Sequence, residues 1–530
     1  MKKIKNMILA IIGCLGLIIL AACSSNSLGL SSSDIDMNIT TTKDKATIKL
    51  TLSENDNIKN SKAVLYITCY TVADDSTETY HSKQNVTFSN SVYTSSTVTF
   101  SSLTANKNYK FTLYATYNGS DSKILEKTAK TTDTVSTTIE NKDDFKNNLP
   151  NDLDGEFTLT ADIDFDGDSL SLFTTESKAF QGKLDGGIYD ADGKLTGCHK
   201  LTNFKLGSNS YVGLFGYLKN ATIKNLIIED VTIDFTSRST ASMGALAGYA
   251  VGSYVENVTI NNASFKIGAS SLAEHNTGAV VGLAERSTFK NVYANDAAID
   301  YTSARVKINV GLFAGSIQGE ALSNDGFVIS SGAKGSIKLV ADYTSSGDTT
   351  EYINCGGFVG QVGSNGKIDD CYSVAEITYS RKATMSRTFD LSIGGFVGYN
   401  NSNMDINNSL AINTIKAYAG SLPTDGDGHD YTTEKFASGN TYVGGFVGHA
   451  TNVFRGIKNS YAKAKEEIVA EGTLTVTETV DEVETTTTIG YVDAFAGKVD
   501  TESAAYIINS SAITAEVPES LSATLKALLA

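Results

Sequence analysis

The sequence predicts an all-β protein: a small β-sandwich followed by a long β-solenoid with short helical caps. Three observations carry that prediction. The 530 residues include 46 Gly, 3 Pro and no Trp, and Thr, Ser, Asn and Val are abundant, a bias toward strands and tight turns. Residues 34–135 contain segments whose apolar residues alternate with period two, as half-buried strands require. From Gly213 to Gly497 a short cassette closed by glycine recurs eight times, and self-similarity at a roughly fixed period is the mark of stacked coils. The hydrophobic content of 41% is ample for real cores, and the length suits two or three domains.

The N-terminus reads as an export segment. Met1-Lys-Lys-Ile-Lys5 is basic, and Met7–Leu20 is an apolar run of 14 residues, short of the roughly 20 that cross a bilayer. The run ends in Leu20-Ala21-Ala22-Cys23, which resembles the lipobox of bacterial lipoproteins. That resemblance implies cleavage of residues 1–22 as a signal peptide and acylation of Cys23 by more than one chain, enough for stable anchoring. It further implies an extracytoplasmic protein on a bacterial cell surface, its membrane partner reached through lipid. Residues 23–33, rich in Ser, read as a flexible tether.

Residues 34–135 are expected to form the sandwich, with strands at Ala46–Leu52, Ala63–Tyr70, Ser96–Phe100 and Tyr109–Tyr117. The stretch from Leu103 through Tyr109 to Ala115, followed by Lys130-Thr-Thr-Asp133, resembles the last strands of a fibronectin type III module, with Leu103 and Tyr109 at its corner. The tryptophan usual in such modules is missing, so an immunoglobulin-like sandwich is an equal reading. No catalytic group is implied.

Residues 136–530 then read as the solenoid. Asn141 is placed to cap a short helix that Pro150 ends. Glu156–Phe165 alternates as a strand, and Ala179–Gly187 is a turn-rich entry coil. Bare solenoid ends expose unpaired strand edges, so caps are a physical requirement, and Glu519–Leu529 is the expected helical cap at the far end.

The cassettes close at Gly216, Gly248, Gly282, Gly315, Gly360, Gly398, Gly448 and Gly497. A polar slot follows each, at Asn225, Asn257, Asn291, Asn324, Asp370, Asn408, Asn459 and Asn509, after 9, 9, 9, 9, 10, 10, 11 and 12 residues. The closing glycines are expected where a neighbouring chain leaves no room for a side chain. The asparagines are expected to form a ladder, since coils stack about 4.8 Å apart and each amide can donate to one neighbour and accept from the other. Asp370 is the exception. Leu214, Phe215, Ile223, Leu226, Ile228, Val231 and Ile233 supply inward positions, and three short strands fit a unit of this length.

Residues 150–517, with the Phe180–Gly187 stretch and the Gly213-Leu-Phe-Gly216 cassette, resemble the GLUG-motif repeats of bacterial surface proteins. The resemblance implies a right-handed parallel β-helix with an extracellular interaction role, and it brings no catalytic residues.

Length variation concentrates in Ile337–Asn354, Thr378–Ser392, Ala417–Thr441 and Glu467–Gly490, at equivalent places in four consecutive units. These inserts should therefore emerge along one edge, which becomes either a recognition surface or a set of unconstrained loops. Thr473–Val480 and Glu484–Ile489 read as a protruding hairpin. Tyr343, Tyr352, Tyr379, Tyr418, Tyr431 and Tyr442 lie near the inserts; Tyr418, Tyr431 and Tyr442 are the candidate ligand-contacting residues, and packing the inserts onto the solenoid is their other reading.

Other chemistry is thin. Asp162, Asp164 and Asp166 open like a calcium loop, but the twelfth position is Phe173 where a bidentate Glu belongs, and the same residues read as a half-buried strand. Asp425–Asp430 is a second carboxylate-rich loop. The five histidines begin no zinc motif, and no serine-hydrolase elbow is present. Asp369 and Asp370 are adjacent acids in a slot, read as structural before acid–base. Cys69, Cys198, Cys355 and Cys371 read as small buried hydrophobes; if a bridge forms, Cys355 and Cys371 are the pair. No motif implies a cofactor. The formal charge of −16, or −19 once Lys2, Lys3 and Lys5 leave, argues against nucleic acid.

The leading expectation is an adhesin-like surface protein that binds an extracellular protein or glycan through the insert-bearing edge. A polysaccharide lyase or hydrolase on a β-helix, and a structural envelope stalk, are the alternatives.

Overall fold

The computed structural model describes residues 30–529 except 42–44, 74–75, 89–93, 132–136, 208–209, 238–240, 270–273, 304–306, 320–326, 343–351, 364, 382–388, 402–403, 421–439, 452–455, 472–474, 481–482, 489 and 515. The chain divides into two units, at Ser136 and Thr137. The protein is all-β, a sandwich followed by a parallel β-solenoid.

In the first unit, strands Ile35–Thr41, Ala46–Leu52 and Ser95–Phe100 form one antiparallel sheet, and Glu78–Asn85, Ala63–Val72, Asn108–Tyr117 and Ser120–Lys130 form the other. Both contribute to one core, with Ile48, Leu50, Ile67, Phe111 and Leu113 fully buried. The Tyr109 hydroxyl accepts the Thr104 N–H at 2.8 Å, which ties the connection before this strand to its first turn. Two strands had no clear sequence signal. Glu78–Asn85 buries neither face, so no apolar alternation marks it, and Ser120–Lys130 is an edge strand with only partial burial.

In the second unit, each coil contributes one strand to each of two narrow eight-stranded sheets and crosses a wide sheet, either as one long strand such as Thr222–Ser237 and Thr288–Ser303 or as two or three shorter ones. The expected three strands per coil hold where the wide-sheet strand is continuous, and the other coils have four or more. The wide sheet is creased at the polar slot, where Asn225, Asn257 and Asn291 adopt φ of 54°. That left-handed conformation is costly for most residues and tolerated by Asn, which explains why a strand can bend there without a glycine.

Parallel pairing stacks like on like. Ile223, Val255, Phe289, Val328, Ile368, Ile406, Ile457 and Ile507 occupy one column of registered partners. At the cassette corner Phe313, Phe358, Phe396, Phe446 and Phe495 stack with centroids 4.6, 4.7, 4.8 and 5.2 Å apart, which is the coil spacing written in rings.

The closing glycines lie where the second narrow sheet touches the backbone of the first. A Cβ on Gly248 would sit 2.6 Å from Val212 N and 2.7 Å from Ser242 O, and one on Gly497 2.6 Å from Val443 N. Those contacts are shorter than atoms allow, so glycine is required.

The helix Lys142–Asn151 closes the N-terminal end. Asn141 caps it by accepting from Asp143 N and Asp144 N at 3.0 and 3.1 Å, and Phe145 and Leu149 are fully buried. It runs past Pro150, whose missing N–H falls in the last turn. The C-terminal helix, Ala523–Ala527, is shorter than expected. Its Leu525, with Leu521 just before the helix, packs against Tyr372, Leu410 and Ile412 on the side of the wide sheet, and so clasps a flank.

Candidate functional site

The inserts emerge at one corner, between the wide sheet and the first narrow sheet. Strands ending at Ala341, Arg381, Tyr418 and Glu471 leave the wide sheet, and strands beginning at Tyr352, Asp390, Thr441 and Gly490 enter the narrow one. Their bounding residues are in register: Ala341 pairs with Arg381, Tyr352 with Asp390, Leu391 with Thr441, and Thr441 with Gly490. The excursions are shorter than the sequence suggested, because Ile337–Ala341 and Tyr352–Asn354 are strand residues. Within the last insert, Thr475–Val480 pairs antiparallel with Val483–Thr488.

The tyrosines near this corner do not form an open aromatic surface. Tyr379 and Tyr442 are 0% and 3% exposed, a correction for Tyr442 as a ligand-contacting residue: its strand position turns the ring into a packed seam. Tyr352 and Tyr418 are half-buried. Burial and then Glu274 raise the Tyr352 phenol. Tyr343 and Tyr431 lie outside the described residues.

Outward side chains of the two narrow sheets meet along that seam. Toward the C-terminal end the Tyr442 ring stacks on His449 at 4.1 Å and on Tyr491 at 5.8 Å, and Tyr399 lies 5.4 Å from His449. Lys498 stands over both Tyr491 and Tyr442, at 5.0 and 5.5 Å. His449 Nε2 is 3.8 Å from Asp500 Oδ1, too far for a hydrogen bond. Burial holds this imidazole below its ordinary value, with Asp500 opposing. At the other end Tyr211, Tyr217 and Tyr249 form a cluster, and Tyr249 hydrogen-bonds Glu285. Between them runs a buried amide ladder absent from the sequence expectations: Asn309 Nδ2 donates to Asn276 Oδ1, and Asn354 Nδ2 to Asn309 Oδ1, each at 2.9 Å. Its members are 33 and 45 residues apart, across inserts of unequal length, so no fixed count reveals them.

The slot residues make side-chain contacts coil to coil. Asn257 donates to Asn225 at 3.0 Å, Asn291 to Asn257 at 3.1 Å, and Asn459 to Asn408 and Asn509 to Asn459 at 3.4 Å. Asn324 is not the slot residue of its coil. It lies outside the described residues, and Ser330 holds the position, with φ of 48° and its strand registered so that Ile329 faces Lys290. The arm from Gly315 is longer there, and a nine-residue count stops short. Ser330 Oγ donates to Asp370 Oδ2 at 3.2 Å. Asn408 passes over Asp370 and donates to Asp369 Oδ1 at 2.9 Å, while Asp369 Oδ2 lies 2.7 Å from Lys367. The adjacent acids are thus held by separate partners. A hydroxyl ladder runs alongside: Ser460 Oγ accepts from Ser409 N, and Ser510 Oγ from Ser460 N.

The carboxylates of the calcium-like stretch have divergent partners. Asp162 Oδ1 accepts from Lys200 N at 3.0 Å, Asp164 Oδ1 from Asn203 Nδ2 at 3.1 Å, and Asp166 Oδ2 from Lys142 at 2.6 Å. The Lys146 ammonium bonds Asp168 and holds its carboxyl below the usual range. Among the described residues no group of three or more His, Cys, Asp and Glu is placed to hold a metal. Asp425–Asp430 lies outside them. Cys69, Cys198, Cys355 and Cys371 are free thiols, all but Cys198 buried. Cys371 takes the position held by serine in the hydroxyl ladder, donating to Asp369 O at 3.2 Å.

Residues 1–29, with Cys23, lie outside the described residues, and no described helix is long and apolar enough to cross a membrane. Compared with known proteins, the chain matches no family model and no curated relative.

Proposed function

We propose that this chain is a lipid-anchored bacterial surface protein that binds an extracellular protein or glycan through the excursions at the insert corner. One observation carries the reading. Four consecutive excursions start and finish on residues in lateral register, so they leave a rigid scaffold side by side, an arrangement repeat proteins use for recognition. The Leu20–Cys23 lipobox resemblance supports the anchor, and the GLUG resemblance supports an extracellular interaction role. Asp369 and Asp370, each committed to its own ladder or lysine partner, give no support to paired acid–base chemistry.

The test is binding of the purified chain to glycan and matrix-protein arrays, then replacement of residues 421–439 by a short turn. Binding lost with the thermal transition unchanged supports the reading. Binding unaltered by every excursion replacement refutes it, and new reducing or unsaturated ends on a polysaccharide panel would replace it with an enzyme.

A further inference from the structure

The two solenoid ends are finished differently. The N-terminal end is sealed by the helix Lys142–Asn151, with Phe145 in ring contact with Phe165 and Phe215 at 5.6 and 6.4 Å. At the C-terminal end the chain turns off after Ser511–Ala512 and its helix goes to the flank. Among the described residues, Gly490–Asp493 and Ala496–Val499 are the last strands of their sheets, each paired on one side only. The last coil exposes Val492 there while Phe495 stays buried. Val492 is 38% exposed where its registered partner Val443 is 0%, and Phe495 is 8% exposed where Phe446 is 0%.

An end of this kind has a demanding partner. Its outer backbone edge lies on both narrow sheets, set at the angle of the cassette corner, and on Ile507–Ile508 and Ser511–Ala512 of the wide sheet, with Asp493 Oδ1 accepting the Phe495 and Ala496 N–H at the corner, so a single extended peptide can satisfy only one of the sheets. Another solenoid end offers matching edges, and the N-terminal end of a second copy is covered by its helix. The C-terminal end of a second copy presents the same edges without that helix. The edge is also self-complementary. A two-fold axis through the corner at Ala494 and Phe495 exchanges the narrow sheets, and the two edge strands are equal, 4 residues each. One runs toward the corner and the other away, so the exchange makes them antiparallel.

We propose that the C-terminal end of the solenoid is a tail-to-tail interface between two copies of this chain, Gly490–Asp493 of each pairing with Ala496–Val499 of the other. Pairing outward from the axis sets Val492 opposite Gly497 and Tyr491 opposite Lys498 of the second copy. The two Phe495 rings meet on the axis and continue the phenylalanine stack. An isologous contact of this kind closes at two copies and cannot propagate.

The test is sedimentation equilibrium of the full chain in density-matched detergent, with Val492→Glu and Ala494→Cys variants. The expected mass is that of two chains for the wild type and half as much for Val492→Glu, with an unchanged circular dichroism spectrum. Ala494 is exposed beside the axis, so Ala494→Cys should form an inter-copy disulfide on oxidation that the wild type lacks. A wild type of one-chain mass overturns the proposal, as does an open series of higher oligomers, a two-chain Val492→Glu, or failure of Ala494→Cys to cross-link.

Discussion

The Nδ2 of Asn257 lies 3.0 Å from the Oδ1 of Asn225, although 32 residues separate them. Every described amide bond of the slot ladder points the same way, each later rung donating to an earlier coil. The rung therefore reports stacking register directly, and it sits on a residue with φ of 54°.

Replacing Asn257 separates those two roles. Asn257→Ala loses the rung, about 1 kcal/mol, and forces a Cβ-bearing residue without a local polar side chain into the left-handed region, about 1–2 kcal/mol more. Asn257→Gly loses the rung but keeps the conformation. Chemical denaturation should rank wild type above Gly above Ala; an Ala variant as stable as Gly would mean the backbone conformation is unimportant.

Gly248→Ala tests the contact between the narrow sheets. Its Cβ would meet Val212 N and Ser242 O at 2.6 and 2.7 Å, both backbone atoms that cannot rotate aside. A loss of about 1–3 kcal/mol or more is expected from such overpacking. An unchanged midpoint would show that the sheets can part at no cost.

Phe396→Ala removes a ring stacked on both faces, 4.7 Å from Phe358 and 4.8 Å from Phe446. The expected cost is about 3–5 kcal/mol. Phe495→Ala, at the end of the stack, should cost less in the monomer, and equal losses would argue against the stack as a mid-coil support.

His449 gives the seam a pH dependence. Its folded imidazole is held below the ordinary 6.5 by burial, so the unfolded chain binds the extra proton first. The stability tied to the neutral ring is present above that unfolded value and is lost as pH falls through the folded one. Denaturation at about pH 7.5 and about pH 5 should show a smaller fall for His449→Gln than for wild type. Identical falls would remove His449 as the titrating group.

Much of the fold was legible because repetition amplifies weak signals. One glycine between apolar residues means little, but eight at matched offsets place the contact between the narrow sheets, and repeated Asn marks the crease. The same regularity misled at Asn324, where a longer arm moved the slot to Ser330. Tyr442 was misplaced for another reason: alternation says which residues point outward, and the outward face of one narrow sheet here packs on that of its neighbour.

The sequence alone determined the two-part architecture, the coil period, the positions needing glycine and the N-terminal cap, since these follow from local conformation and periodic burial. Only the tertiary structure decided which outward residues are covered, where the C-terminal helix lies, which partner each carboxylate takes, and that the Asn276, Asn309 and Asn354 amides connect. Those relations join residues on neighbouring coils or on two facing sheets, and their spacing along the chain varies with every insert that separates them.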